Sequence, residues 1–327
     1  MKEFIISDND AGQRLDRFVT KAVPLLPASL LQKYIRIKRV KVNNKGAKRE
    51  YKLVVNDMVQ IYINDEFFDK PTEENVYLKI TDPSLDIIYE DNNIILVNKP
   101  VGILCHSDEG FDHSSVIARI QAYLYQTGEW RPREENSFTP ALCNRIDRNT
   151  SGIVVAAKNA EALRIINEKF KLLEIDKYYL TIVHGIPTPP ETELKGFIFK
   201  DAVKNKVFVT ENSQPGSKTA IMKYKTIASQ NNLSLLECKL ITGRTHQIRA
   251  QLAHAGCPIL GDGKYGDGRL DKIFGETKQA LCSYKILFNF KSDAGPLNYL
   301  NKQVYRLPSV SFVDKYFDER SFNNACY

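Results

Sequence analysis

Asp147 stands between two arginines in the run Cys143-Asn144-Arg145-Ile146-Asp147-Arg148-Asn149-Thr150-Ser151-Gly152. Nearby positive charge favours the ionised form of a carboxylate, and an ionised Asp can attack an electrophilic carbon. The other reading is an ordinary ion pair, and the chain holds its own control. Arg14-Leu15-Asp16-Arg17 is nearly the same tetrapeptide, on a stretch patterned as an amphipathic helix with Leu15 inward and Asp16 outward. The tetrapeptide alone decides nothing; Asp147 differs in lying in a loop that enters an apolar strand. A second constellation, Gly243-Arg244-Thr245-His246-Gln247-Ile248-Arg249, follows a strand and opens a helix closed by Gly256. Ile248, Leu252 and Ala255 are its expected buried stripe. Arg244 and Arg249 are left to meet an anion, because bases near a helix start oppose the dipole unless something negative compensates. The third is Lys177-Tyr178-Tyr179, an aromatic hydroxyl beside a base, although a core or surface tyrosine is the commoner fate.

The elements that must position these groups are legible as patterns. Leu15, Phe18, Val19 and Ala22 fall on one helical face ended by Pro24, and Leu30, Leu31, Tyr34 and Ile35 form a second. Alternation follows at Val40 and Val42, a turn at Asn43-Asn44, and Val59, Ile61, Ile63. From Ile87 short strands and helices alternate. Ile87–Tyr89, Ile94–Val97, Ile153–Ala157, Tyr178–Val183 and Leu233–Ile241 read as strands. Val116, Ile117, Ile120 and Leu124 make a helical stripe, and Asn159 caps a helix through Leu173. This predicts an α+β fold on a large mixed, mainly antiparallel sheet flanked by helices, behind a small N-terminal α/β domain.

The chain has 327 residues with 46 Lys plus Arg against 39 Asp plus Glu, a size for two domains of ~100–200 residues each. Its apolar runs are too short to span a bilayer at ~20 residues, and Asp8 and Asp10 sit where a signal peptide needs apolar residues. Six scattered cysteines without a C-x-x-C pair fit reduced thiols in the cytoplasm, and five histidines without metal spacing imply no metal. Residues 1–63 carry 13 bases and 6 acids, so the whole net charge of +7 resides there. Lys33, Arg36, Lys38, Arg39, Lys41, Lys45, Lys48, Arg49 and Lys52 face only Glu50, a one-sided run that fits a polyanion partner better than a merely solvated face.

The order G-Q-R-L-D-R-F … L-L-Q-K-Y-I-R … V-K-V-N-N-K … V-V-N-D-M-V-Q-I over residues 11–64 resembles the small RNA-binding module first described in ribosomal protein S-four. This implies domains at residues 1–64 (RNA-binding), 65–84 (linker) and 85–327 (catalytic). Lys33, Arg36, Lys38, Arg39 and Lys41 would grip phosphates. V-N-K-P-V-G-I-L-C-H, N-R-I-D-R-N-T-S-G, K-Y-Y-L-T-I-V-H-G and G-R-T-H-Q-I-R-A-Q-L-A-H-A-G-C-P-I-L-G-D resemble, in order and spacing over residues 85–315, the RluA-type pseudouridine synthases. The resemblance implies an isomerase that breaks the bond from ribose to uracil nitrogen, turns the base and rejoins it through carbon five, with no cofactor. Asp147 matches the catalytic aspartate, Tyr179 the active-site tyrosine that stacks on the base and helps remove the proton at carbon five, and Arg249 the basic partner of the aspartate. Arg145 matches the arginine that fills the stack a flipped uridine leaves. Arg148, Arg244 and His246 are further substrate-binding residues. Asn144 and Asn149 depart from the family, which commonly has His and Asp there. The expected partner is structured RNA, foremost 23S ribosomal RNA, with transfer RNA second, and a monomer is expected. A non-catalytic ribosome-assembly factor is the rival, but it would tolerate loss of Asp147, Tyr179 or Arg249, all of which match. A glycoside hydrolase would want a second carboxylate ~5–10 Å away, and none recurs beside these motifs.

Overall fold

The computed structural model describes residues 1–63, 65–68, 76–107, 115–132, 134–201 and 206–318, and these divide into two compact units. The first comprises Met1–Ser84, His106–Ala141 and Ala157–Arg164. In chain order it contains β1 (Lys2–Ile5), α1 (Leu15–Ala22), α2 (Ala28–Arg36), β2 (Val40–Val42), β3 (Lys45–Gly46), β4 (Met58–Ile61), α3 (Val76–Lys79) and α4 (Val116–Gln126). The four strands form one antiparallel sheet in the order β1-β4-β2-β3. The predicted helical stripes close over it: Leu15, Phe18 and Val19 of α1 and Leu31 and Ile35 of α2 pack with Val40, Val42, Val59 and Ile61. Asp16 points outward and pairs with Arg14 at 2.6 Å, the ordinary ion-pair reading of that tetrapeptide.

Part of the stretch expected to be linker is packed. Tyr77 of α3 lies 4.8 Å from the Tyr125 ring and 5.1 Å from that of Trp130. Ile80 packs on Ala118 and Ala122 of α4. Residues 1–63 are also tied by side chains to the segment after α4. Buried Asp10 accepts from Asn136 Nδ2 at 2.9 Å and Ser137 Oγ at 2.5 Å, and Gln13 donates to Ser137 at 2.9 Å.

The second unit comprises Leu85–Cys105, Leu142–Ala156 and Ile165–Tyr327. Its strands are β5 (Ile87–Glu90), β6 (Ile94–Lys99), β7 (Ala141–Leu142), β8 (Ser151–Ala157), β9 (Ile175–His184), β10 (Glu191–Asp201), β11 (Lys206–Thr210), β12 (Lys218–Gln230), β13 (Leu233–Leu240), β14 (Leu281–Phe288) and β15 (Val304–Arg306). They make an eleven-stranded sheet in the order β11-β10-β12-β13-β9-β14-β8-β6-β5, with β15 on β14 and β7 on β8. The remaining helices are α5 (Ala160–Lys171), α6 (Gln247–His254), α7 (Gly268–Ile273) and α8 (Ser311–Tyr316). Asn159 caps α5 as expected, accepting from the Ala162 N–H at 2.8 Å. Ile94–Val97 of β6 and Ile153–Ala157 of β8 are unbroken apolar runs because both faces of these strands are buried. The sheet is antiparallel at nearly every register, but β8 runs parallel to β14. That pairing requires glycine at 152. Its φ is +113°, and a Cβ there would lie 2.2 Å from the Ser283 carbonyl oxygen. The close approach pins the chain a few residues beyond Asp147.

The stripe expected on α6 needs correcting at one position. Ile248 and Leu252 are buried with Ala250, whereas Ala255 is exposed, because the helix has ended at His254 and Gly256 turns the chain at φ +80°.

Candidate active site

The loop carrying Asp147 is fixed from beneath by Lys99, the last residue of β6, which has no exposed surface. Its ammonium donates to the carbonyls of Pro100, Ile103 and Arg148 at 2.9–3.0 Å. Burial drives Lys99 down to about 8, against the opposing pull of Cys105, Asp147 and Cys282. The Cys105 thiol adds a second hold, with its sulfur 3.4 Å from both the nitrogen and the oxygen of Ile146. A buried lysine has no periodic signature, and nothing in the residue pattern singles Lys99 out.

The expectation that the flanking arginines attend Asp147 is not met. Arg148 turns its Nε to the Gly102 carbonyl at 3.0 Å, and Arg145 is exposed. The guanidinium at Asp147 comes instead from Arg249 on α6, whose Nη1 donates to Asp147 Oδ2 at 3.0 Å. Arg249 is buried, and the anion it meets is internal. Its Nε and Nη2 grip Asp262 at two points, each at 2.8 Å. Asp262 also accepts from the N–H groups of Lys264 and Tyr265. Burial alone would lower Arg249 and raise Asp262, but their mutual hydrogen bonds and charges outweigh it and shift each the other way. Asp262 therefore engages two nitrogens of the Arg249 fork and leaves the third, Nη1, for Asp147. An aspartate in Gly-Asp-Gly reads as a turn residue, so its sequence context conceals this role.

Arg249 is aimed by the start of its helix. Gln247 is buried and takes the place of a capping box. Its oxygen accepts from Thr242 Oγ1 and the Arg244 N–H at 2.8 and 3.0 Å, while its nitrogen donates to the Ile221 carbonyl and Gln251. His246, immediately before, is left-handed at φ 52° and ψ 23°. It presents Nε2 3.9 Å from Asp147 Oδ2 and Nδ1 2.9 Å from the Tyr265 hydroxyl. Arg244 is exposed at the rim, with Nε on the Thr219 carbonyl at 3.0 Å.

The third wall is β9, set between β13 and β14. Strand alternation puts Lys177 and Tyr179 on the cavity side, while Tyr178 faces away with its ring beneath the ammonium groups of Lys239 and Lys285. Burial raises the Tyr179 hydroxyl well above its ordinary value, so the phenol stays neutral. Burial lowers Lys177. The spacing of two in Lys-Tyr-Tyr is the signal that pairs Lys177 with Tyr179. Asn144 also lines the cavity. Its oxygen accepts from the Val155 N–H at 2.8 Å, while its Nδ2 is buried with no hydrogen-bond partner among the described residues.

These side chains enclose about 370 Å³, within the ~300–1,000 Å³ of small-ligand sites. Asp147, Arg145, Arg244, His246, Arg249 and Tyr179 all line it, and Arg148 does not. Lys33, Arg36, Lys38 and Arg39 are exposed and Lys41 is half-buried, all in the other unit. Among the described residues no His, Cys, Asp or Glu cluster is arranged to hold a metal ion, and no helix is long and apolar enough to cross a membrane. The arrangement offers one carboxylate held by a guanidinium, a neutral aromatic wall and a cationic rim. That suits attack on, or stabilisation of, an electron-poor carbon in an anionic substrate.

Residues 93–254 match the model of the RNA pseudouridylate synthase family. Over 311 residues the chain is 33% identical to an uncharacterized RNA pseudouridine synthase of Mycoplasma capricolum, covering 93% of this chain and 96% of that one. It is 34% identical over 268 residues to the ribosomal large subunit pseudouridine synthase C of Vibrio vulnificus, covering 81% and 80%. Its fold is similar to that of human RNA pseudouridylate synthase domain containing 4, with a TM-score of 0.54 at 20% identity, over 73% of this chain and 92% of that one.

Proposed function

The chain belongs to the RNA pseudouridylate synthase family, and from that premise we propose that it isomerises uridines in large-subunit ribosomal RNA, with Asp147 acting at the ribose carbon. Its substrate is RNA, and the fold is that of the family. Two things support the finer choice of RNA: relatives named for the large ribosomal subunit at 32–34% identity, and the one-sided basic run of residues 33–52. On this reading the protein works in the cytoplasm, where ribosomal RNA is matured.

A stacked uridine hides the bond to be broken, so the nucleotide must leave the helix and enter the cavity. Arg145, exposed at the rim, is the side chain proposed to fill the gap. Asp147 then attacks the ribose carbon or stabilises its positive charge, and the bond to uracil nitrogen breaks with its electrons going to the base. The base turns, carbon five bonds to the same ribose carbon and displaces Asp147 where the carboxylate had bonded there, the proton on carbon five leaves and the freed nitrogen takes one up. Nothing is gained or lost overall. Because burial keeps Tyr179 a neutral phenol, it is a poor base, and we assign it the holding of the uracil through ring and hydroxyl. The proton at carbon five goes to Asp147, the carboxylate at hand.

The observation that carries this reading is the 3.0 Å bond from Arg249 to Asp147 inside the cavity. The test is Asp147→Asn, read as pseudouridine formed per enzyme in a single turnover and as RNA affinity. Conversion should fall by on the order of 10⁴-fold while affinity is kept, and retained turnover refutes the assignment. Mapping pseudouridines in cells with and without the protein decides the RNA, and loss confined to transfer RNA would overturn the ribosomal choice.

A further inference from the structure

We propose that Tyr265 fixes His246 as the Nε2–H tautomer, making its imidazole a neutral hydrogen-bond donor to the base that departs beside Asp147. The inference rests on the proposed reaction at Asp147 and assigns two positioning roles within it.

One hydrogen-bond chain points to the tautomer. The Val207 N–H, on the edge strand β11, can only donate, and it points at the Tyr265 hydroxyl oxygen at 2.9 Å. With that bond accepted, the hydroxyl still has its own proton to donate. Among the described residues the acceptor within reach is His246 Nδ1, at 2.9 Å. With Nδ1 accepting, the imidazole proton sits on Nε2. That nitrogen is 3.9 Å from Asp147 Oδ2, beyond hydrogen-bond distance, so the N–H is not committed to the carboxylate. In the cavity beside Asp147 it is placed to meet a uracil carbonyl oxygen, which gathers electron density as the glycosidic bond breaks. A neutral donor stabilises that charge and leaves Asp147 free to act on the ribose.

The backbone shows that the placement is imposed. His246 is a non-glycine residue in the left-handed region, held there by the Gln247 N–H on the Arg244 carbonyl at 3.0 Å. Strain of this kind gathers at working sites. Tyr265 is fixed in turn, its ring packed edge-on against His246 at 5.6 Å and under the Arg249 guanidinium at 5.1 Å. The charged groups around the imidazole are Asp147, Arg249, Lys264 and Asp262. Burial, seconded by the two cations, lowers His246 below its ordinary value against the pull of the two aspartates, and burial raises Tyr265. Both rings are therefore neutral at physiological pH, as the chain requires.

Two readouts test this in the full-length protein. Nitrogen-15 NMR of histidine-labelled protein, with His246 identified by its loss in His246→Gln, should show a protonated Nε2 and an accepting Nδ1. In Tyr265→Phe the two nitrogens should move toward a tautomer mixture. A protonated Nδ1 in the wild type overturns the proposal without any measurement of activity. The second readout is a double-mutant cycle on the single-turnover rate, because Gln keeps an N–H donor but has no tautomer. Tyr265→Phe should slow the wild type roughly three- to tenfold with RNA affinity unchanged, and should add nothing in the His246→Gln background. Losses that multiply in the double variant would make Tyr265 merely structural and overturn the coupling. A wild type that converts no uridine would instead overturn the reaction assignment, and the NMR result would still decide the tautomer.

Discussion

At the scale of the residue, the site is organised by a guanidinium that serves two carboxylates. Lysine offers the charge of Arg249 but not its fork, so Arg249→Lys cannot hold Asp262 and Asp147 together. It should lower the single-turnover rate about 10²-fold with RNA affinity unchanged, and an unaffected rate would show that a single point charge suffices. Asp262→Asn leaves a buried guanidinium short of its main counter-charge and should lower stability by on the order of 3 kcal/mol, seen as a drop in Tm. His246 gives a pH signature. Its folded value lies below its ordinary 6.5, so as pH falls the unfolded chain takes up the proton first and stability is lost below 6.5. Between pH 6.5 and 5 the wild type should lose Tm relative to His246→Gln, and parallel curves would show that His246 does not titrate abnormally. Asp147 stood out from the residue pattern as a candidate, but its partner was not readable from neighbours. Arg145 and Arg148 are next to it in sequence, yet the bond comes from a residue 102 positions away, and only the family resemblance anticipated it.

At the scale of the element, periodicity was a good guide wherever one face meets a core and the other meets water. The stripes of α1 and α2 and the cap of α5 lie where the residue patterns put them, and β6 and β8, buried on both faces, were marked instead by their apolar runs. It was a poor guide where tertiary packing sets the geometry. The packed turn of α3 sits in an acidic, proline-containing stretch, and Gln247 works as a cap only because Thr242 and Ile221 approach it. Gly152 shows the same dependence, since its need for glycine comes from Ser283 on another strand. Gly152→Ala forces a side chain into that carbonyl at a left-handed φ, and should destabilise the protein by about 1–3 kcal/mol or more. A thermal melt checks this, and an unchanged Tm would mean that β8 and β14 can part at no cost.

At the scale of the whole molecule, charge and candidate site are divided along the chain, with the excess bases in residues 1–63 and the proposed site residues after residue 98. Deleting the first 64 residues would strip the partners of Asn136, Ser137 and Glu135, so substitution is the cleaner probe. Replacing Lys33, Arg36, Lys38, Arg39 and Lys41 with Gln should flatten the dependence of RNA affinity on salt. The logarithmic slope should fall by ~0.7 for each single-stranded phosphate no longer neutralised, or ~0.9 in duplex. An unchanged slope would mean that these side chains do not touch RNA. The division was legible from charge counting alone, whereas the cavity, lined from segments around residues 147, 179 and 249 and braced by Lys99 and Asp262, was not. That assembly has a consequence for synthesis. A ribosome makes the polycation first and the Asp147 loop midway, but the guanidinium and its anchoring aspartate emerge about a hundred residues later or more. On the proposed reading a nascent polypeptide can attract nucleic acid well before it can modify it, and the order of residues along the chain delays the chemistry.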